Sequence, residues 1–266
     1  SETLGFIDSL RKLSVHKLYV LFVKYGGIVP ESYLDVLLEI PSERFFAIGT
    51  QRYNEQSREY YTLANYYSDI SHLEPLKQEL ETKKLNYFDT MQFIAFSIFL
   101  QLSLESLQNN RKILLIEDGG YLAPILNQFA AEKQKTKDIF KRYFISEMQE
   151  GTFDSFLSTV LICSIEHTRN GYNRLVEKRT IYKKLYISTY TIAISNLKTV
   201  EESKEVAYSI LSAIESILHG QGLVLSKRNV IILGAKGNIG KNLCEYLTSR
   251  IYANNHILKV DICYDT

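Results

Sequence analysis

Apolar positions along this chain switch between helical and strand spacing. Leu4, Ile7, Leu10 and Leu13, then Leu18, Leu21 and Phe22, predict a helical start, and Pro30 followed by Leu34, Leu37 and Leu38 predicts a second short helix. Phe45-Phe46-Ala47-Ile48 reads as a short strand, while Gln51 to Tyr67 is polar and Tyr-rich with only a weak helical pattern. From Tyr87 to Leu107 a long apolar helix leads into Lys112-Ile113-Leu114-Leu115-Ile116, a strand-like run that ends in Glu117-Asp118-Gly119-Gly120 and is followed by another helical pattern. The same order recurs at Thr159 to Ile165, which ends in Glu166-His167-Thr168-Arg169-Asn170-Gly171 before a basic helix. Leu185 to Ile194 is rich in β-branched and aromatic residues. A helix with Val206, Ile210, Ile214, Ile217 and Leu218 on one face then runs to Gly220-Gln221-Gly222. Strands alternating with helices predict a parallel α/β architecture, with a domain boundary between Asn196 and Lys227.

The last unit carries the most specific pattern. Val230-Ile231-Ile232-Leu233 suits a buried parallel strand, and Gly234, Gly237 and Gly240 permit a tight turn into a helix whose first N–H groups, at Asn238, Ile239 and Gly240, are free to meet a phosphate. Asp261 closes the next apolar run, Ile257 to Val260, 21 residues after Gly240, where its carboxylate could accept hydrogen bonds from an adenosine ribose. This layout is that of a dinucleotide-binding βαβ unit, and the acid favours NAD over NADP. The spacing is Gly-x-x-Gly-x-x-Gly rather than Gly-x-Gly-x-x-Gly, and the sequence ends five residues after Asp261. The remaining strands of such a fold would belong to a longer protein, with which Ser1 in place of an initiator Met agrees, or come from elsewhere.

Charge and cysteines narrow the partners. Thirty-one basic and thirty acidic side chains leave a net charge of +1, so no overall field recruits nucleic acid or an anionic membrane. Cys163, Cys244 and Cys263 lie in apolar runs without metal-ligand spacing, which predicts reduced thiols in a cytoplasmic protein and no metal site. The most apolar stretch, Met91 to Leu104, is too short to span a bilayer and reads as a buried helix.

Several marks coincide in order: a strand closing on Asp118-Gly119-Gly120, a strand closing on Glu166-His167-Thr168-Arg169-Asn170-Gly171, Thr199-Val200 with Ser203-Lys204, a long helix, then the glycine turn. Together they resemble the S-adenosylhomocysteine hydrolase family over about residues 85–261. In that family an Asp-Asp-Gly-Gly turn, a Ser-Glu-Glu-Thr-Thr-Thr-Gly turn and a Ser-Val-Thr-Lys-Ser-Lys-Phe-Asp-Asn segment precede the NAD-binding fingerprint. The resemblance implies a parallel-sheet substrate-type domain followed by the start of a Rossmann-type NAD-binding domain. It divides the chain into a helical N-terminal region at 1–84, the α/β domain at 85–200, and a connecting helix with a partial dinucleotide-binding domain at 201–266. It also implies NAD as cofactor, a nucleoside-like or other small polar ligand, and a homo-oligomer.

Carried over by position, Asp118 matches the family's catalytic Asp and Glu166 the first Glu of its pair. His167 stands where the second, substrate-contacting Glu would be, and Thr168, Arg169 and Asn170 stand where three Thr residues contact NAD. Asp118, Glu166 and His167 are therefore the candidate ligand-facing groups, with Thr168 and Asn170 beside the cofactor. Glu202, Val206 and Ala207 replace the family's catalytic Lys, substrate-binding Asp and Asn, which speaks against hydrolase activity. Two readings follow: an NAD-dependent enzyme on a nucleoside-like substrate, and a non-catalytic ligand-sensing or assembly module on the same scaffold. Plainer roles stand beside both. Asp118 can serve as a helix cap, His167 as a surface side chain, Lys178, Arg179, Lys183 and Lys184 as a solvated face, and the pairs Tyr60-Tyr61 and Tyr66-Tyr67 as packing.

Overall fold

The structure is a computed structural model that describes residues 2–13, 17–23, 36–37, 39–53, 58–64, 73–143, 145–146, 149–251 and 256–262. It is mixed α/β, with three small sheets among the described residues.

The N-terminal region departs from the helical expectation after its first helix, α1 (Glu2–Lys12). Strand β1 (Val20–Val23) lies parallel to β2 (Phe45–Tyr53), and β3 (Arg58–Ala64) returns antiparallel to β2. The segment around Leu21 and the described parts of the Tyr-rich stretch, residues 51–53 and 58–64, are thus strands. Val20-Leu21-Phe22-Val23 and Tyr60-Tyr61-Thr62-Leu63 are β-branched and aromatic runs whose fit to a pleated surface outweighs a loose helical period. The helix expected from Pro30 to Leu38 and the pair Tyr66-Tyr67 lie largely or wholly outside the described residues. Helix α2 (Glu74–Lys83) follows and packs on β3.

Helix α3 (Tyr87–Gln108) begins where the Asn86 side chain accepts the Asp89 N–H at 2.9 Å. It is apolar on several sides because it serves two cores. Met91, Ile94 and Ile98 pack with Phe46, Ile48 and Leu63 of the first sheet. Phe96, Phe99 and Leu100 pack with Leu126, Phe129, Phe140, Phe153 and Val160. Full burial of such side chains contributes roughly 1.5–3 kcal/mol each. At 22 residues the helix is longer than the apolar stretch read from the sequence and passes a length-and-composition test for a membrane span, yet 61% of its most apolar window is buried inside the molecule.

The second sheet is all parallel: β4 (Ile113–Glu117), β5 (Leu161–Glu166) and β6 (Thr189–Thr191), in that spatial order. Helices α4 (Ala123–Ala131), α5 (Thr136–Arg142) and α6 (Phe153–Val160) connect β4 to β5, and α7 (Arg169–Tyr182) connects β5 to β6. Only three residues of the strand-rich stretch from Leu185 to Ile194 pair as β6.

After β6 the chain winds into a π-helical turn at Leu197–Glu202 that runs without a break into α8 (Ser203–Gly220). The division expected between 200 and 201 therefore falls inside one continuous helical segment. Then β7 (Val230–Leu233), α9 (Asn238–Thr248) and β8 (Ile257–Val260) form a parallel two-stranded unit. One face of it packs on α8 and α9 through Leu211, Ile232, Ala235, Cys244 and Leu247. Its other face leaves Ile231, Leu233 and Leu258 exposed. Cys163 and Cys244 are free thiols, Cys163 half-buried and Cys244 buried; Cys263 lies outside the described residues.

Candidate functional site

Strands β4 and β5 run parallel, and their last in-register partners are Glu117 and Glu166. Side chains alternate along a strand, so these two carboxylates share one face of the sheet and the residues after them turn away from it. Both are buried. Glu117 accepts the Leu122 N–H at 2.8 Å and the Ala123 N–H at 2.6 Å, which satisfies the start of α4, where no side chain of the cap residue does so. Burial pushes the Glu117 carboxyl up to about 7, with the charge of Glu166 adding to the rise and the backbone N–H groups opposing it.

Glu166 ties the two turns together. Its Oε1 accepts the Gly119 N–H at 3.2 Å, the Thr168 N–H at 2.7 Å and the Thr168 hydroxyl at 2.8 Å. Its Oε2 is buried without a hydrogen-bond partner. The turns also interlock through backbone. Gly120 has φ +66° and a Cβ there would stand 2.6 Å from the Gly171 Cα, while a Cβ on Gly171 would stand 2.0 Å from the Glu166 carboxyl.

Asp118 and His167 follow these acids and form the outward pair at the C-terminal edge of the sheet, the side where ligands bind in parallel α/β folds. His167 Nδ1 lies 3.9 Å from Asp118 Oδ1, with the Asp118 side chain 57% exposed and the His167 side chain 25% exposed. The neighbouring His167 imidazole foremost, and the Lys198 charge less, hold the Asp118 carboxyl below its ordinary value against the opposing effect of its partial burial. Lys198 stands on the π-helical turn, 10% exposed, and pairs with Glu202 at 2.5 Å. Single π turns inserted in helices occur frequently at functional sites. Asp118, His167, Lys198 and Glu202 thus make a mixed-charge cluster that can take a polar, hydroxyl-bearing ligand through donors and acceptors together.

The structure redistributes the roles expected here. Glu166, expected to face ligand, is instead buried beneath the turns as their common acceptor. Thr168, expected beside the cofactor, caps α7 by accepting the Gly171 N–H at 3.1 Å and donates its hydroxyl proton to Glu166. Asn170 is exposed on the first turn of α7. Glu117 and Lys198 escaped the sequence reading. The signal for Glu117 was an acid at the end of each of two successive apolar runs; for Lys198 it was the i, i+4 spacing to Glu202.

The glycine turn lies at the edge of a different sheet. Gly234 has φ +83°, and a Cβ on Gly240 would stand 2.1 Å from the Gly234 carbonyl oxygen, so both positions require glycine. At Gly237 a Cβ would meet only the Gly234 carbonyl oxygen, at 3.4 Å. Gly234 and Ala235 donate their N–H groups to the Val260 carbonyl. Helix α9 starts at Gly237 with no side-chain cap, leaving the first-turn amides of Asn238, Ile239 and Gly240 outside the helical ladder. Asp261 accepts the Lys236 N–H and, at 2.8 Å, the Ile262 N–H, so it braces the turn. Asp118, Glu166, His167 and Thr168 are brought together; Gly234, Gly237, Asn238, Ile239, Gly240 and Asp261 gather separately.

Among the described residues no group of three or more His, Cys, Asp and Glu side chains is placed to hold a metal ion. Comparison of the chain with protein-family models, curated proteins and solved structures gives no match.

Proposed function

We propose that this chain is a dinucleotide-binding protein of the S-adenosylhomocysteine hydrolase type, without hydrolase activity, that binds NAD at the glycine turn and a nucleoside-like or other small polar ligand at the Asp118–His167 edge. One observation carries the reading: a parallel strand passes through two obligatory glycines into a helix whose N-terminal amides have no side-chain cap, beside a strand-end carboxylate. The residues fit the group. The first-turn amides of Asn238, Ile239 and Gly240 would hold the pyrophosphate, and Asp261 has acceptor capacity left for a ribose hydroxyl. Bound NAD supplies reversible hydride transfer. At the other edge Asp118 accepts from a ligand hydroxyl, and the His167 imidazole donates or accepts a hydrogen bond beside it. The protein is expected in the cytoplasm, as a homo-oligomer, and without nucleic acid or membrane as partner.

A second reading, a non-catalytic ligand sensor or assembly module, draws on α8. Ala207 is buried and Val206 half-buried at the positions where the family presents polar ligand-binding groups, so this helix is given to packing. Calorimetric titration of NAD, with and without adenosine, tests both. Gly237→Val is the control, because a Cβ at this position makes only an ordinary contact with the Gly234 carbonyl oxygen while standing at the helix N-terminus. Binding to the parent chain and its loss in the control, at unchanged Tm, is expected. No binding to the parent chain overturns the proposal. Binding of NAD with no hydride transfer to or from any bound nucleoside favours the sensor.

A further inference from the structure

The end of the parallel sheet opposite Asp118 and His167 is unused in the reading above. Helices α4 and α7 both start at the C-terminal edge of the strands and return along the sheet, so their last turns lie together at the other end. Side chains join them there. Lys178 donates to the Gln128 side chain at 2.9 Å, the Tyr182 hydroxyl donates to Glu132 at 2.8 Å, and the Tyr186 N–H donates to the Asn127 side chain at 2.7 Å. Over the Tyr186 ring stand two ammonium groups from different segments, Lys133 at 5.7 Å and Lys184 at 4.4 Å from its centre.

Positive charge concentrates at this end. Residues 133–142 and 178–184 carry nine Lys and Arg side chains and one acid, Asp138. Glu132, Asp154 and Glu177 beside them leave a surplus of five on a chain whose net charge is +1. Two of these acids are already engaged: Glu132 accepts from Gln128, Gln134 and Tyr182, and Asp154 pairs with Lys133. Lys135 and Lys183 are exposed, and among the described residues their side chains make no hydrogen bond or ion pair. Like charges gathered on one surface repel one another, and an acidic partner relieves that repulsion.

We propose that this surface docks an acidic segment of another protein, a run of Asp and Glu side chains laid across Lys133, Lys178 and Lys184. Seven of the nine cations are Lys. An ammonium is a compact point charge that meets single carboxylates from many directions, whereas planar Arg is favoured for bidentate recognition of phosphate. Tyr186 is half-buried beneath two ammonium groups, so its ring offers little for base stacking. Ile181, 55% exposed between Arg179 and Lys183, adds an apolar contact that peptide side chains use and a sugar–phosphate backbone does not. The proposal goes beyond the NAD reading, and its test uses neither NAD nor adenosine.

The test is fluorescence anisotropy of a labelled peptide of about ten glutamates, titrated with the chain at about 50 mM and about 200 mM salt. The parent chain is expected to bind, with affinity falling several-fold at the higher salt. Lys133→Gln combined with Lys184→Gln should weaken binding roughly tenfold. Lys227→Gln combined with Lys259→Gln makes the same change of net charge at exposed positions outside this surface, and should stay within about twofold. Lys135→Gln combined with Lys183→Gln removes no internal contact, so it keeps the test decisive if the first pair lowers Tm, and should weaken binding about fivefold. No binding by the parent chain, or equal weakening by the surface and control pairs at unchanged Tm, overturns the proposal. Tighter binding, at matched salt, of a deoxythymidine oligomer of equal charge or of vesicles with about 30% phosphatidylserine also overturns it and gives the surface to phosphate.

Discussion

Both candidate edges are built from a parallel strand, a glycine-bearing turn and a helix, yet they handle the acid at the strand end in opposite ways. At the β4–β5 edge the strand-end acids face inward and satisfy turn amides in the dry interior, and the following residues, Asp118 and His167, face out. At the β7–β8 edge Asp261 comes one residue after its strand, is half-buried, and braces the Lys236 amide beside a surface turn. The first edge rests on a core that includes Phe96, Phe129, Phe140 and Phe153, whereas the second rests on two strands with one face uncovered. The carboxylate's direction, more than its place in the sequence, decides which kind of edge results.

The comparison is broken most severely at the glycines. Gly240→Ala puts a methyl group against the Gly234 carbonyl and is expected to cost roughly 3 kcal/mol or more, melting the last unit alone. Hydrogen exchange read by mass spectrometry should show residues 230–248 losing protection while residues 113–166 keep theirs. Equal loss in both would mean that the two edges are one cooperative unit.

A pair of leucines sharpens the contrast in support. Leu126 is fully enclosed, so Leu126→Ala is expected to cost about 2–5 kcal/mol in urea unfolding. Leu233 is 78% exposed, and Leu233→Ala should stay within about 0.5 kcal/mol. A larger loss at Leu233 would show that its sheet face is covered in solution.

The two acids of the first edge should give opposite pH signatures. Glu117 has a raised value, so its neutral form is favoured by folding. Its contribution is complete below the ordinary 4.5 and is lost as pH rises from there to about 7, a change of roughly 3 kcal/mol. Asp118 is shifted down, so its smaller contribution is present above the ordinary 3.8 and lost as pH falls below it. Unfolding free energies measured from pH 3 to pH 8 should therefore show a fall on the neutral side that Glu117→Gln removes. The smallest effect is local: His167→Ala deprives Asp118 of its chief stabilising partner, and carboxyl NMR should find its titration moved toward the ordinary value with little change in Tm.

Much of the α/β order was legible because long apolar runs leave few choices. The helix through Ile94 and Phe96, the strands ending at Glu117 and Glu166, and the strand–turn–helix at Gly234 were all readable. The N-terminal strands were not, since Leu18, Leu21 and Phe22 fit a helical period as well as a strand, and pairing with Phe45 and Phe46 settles the matter only in three dimensions. At the site, sequence placed Asp118 and His167 at the edge but could not tell which strand-end acid would be solvated. Glu166 was read outward and lies inward, because the alternation of faces depends on where the strand stops. Lys198 was hidden for a related reason: a π turn alters the angular step along a helix, so a face deduced with the ordinary helical period is misassigned.

Helix α3 presents Met91, Ile94 and Ile98 to one core and Phe96, Phe99 and Leu100 to the other. It is a party wall, and neither neighbour can be removed without leaving a row of large side chains wet. For chimaera design and for recombination alike, the residues from β2 to β6 behave as one inheritable block. A crossover placed at the start of α3, the place a linear map of the chain would suggest, is the least tolerable one.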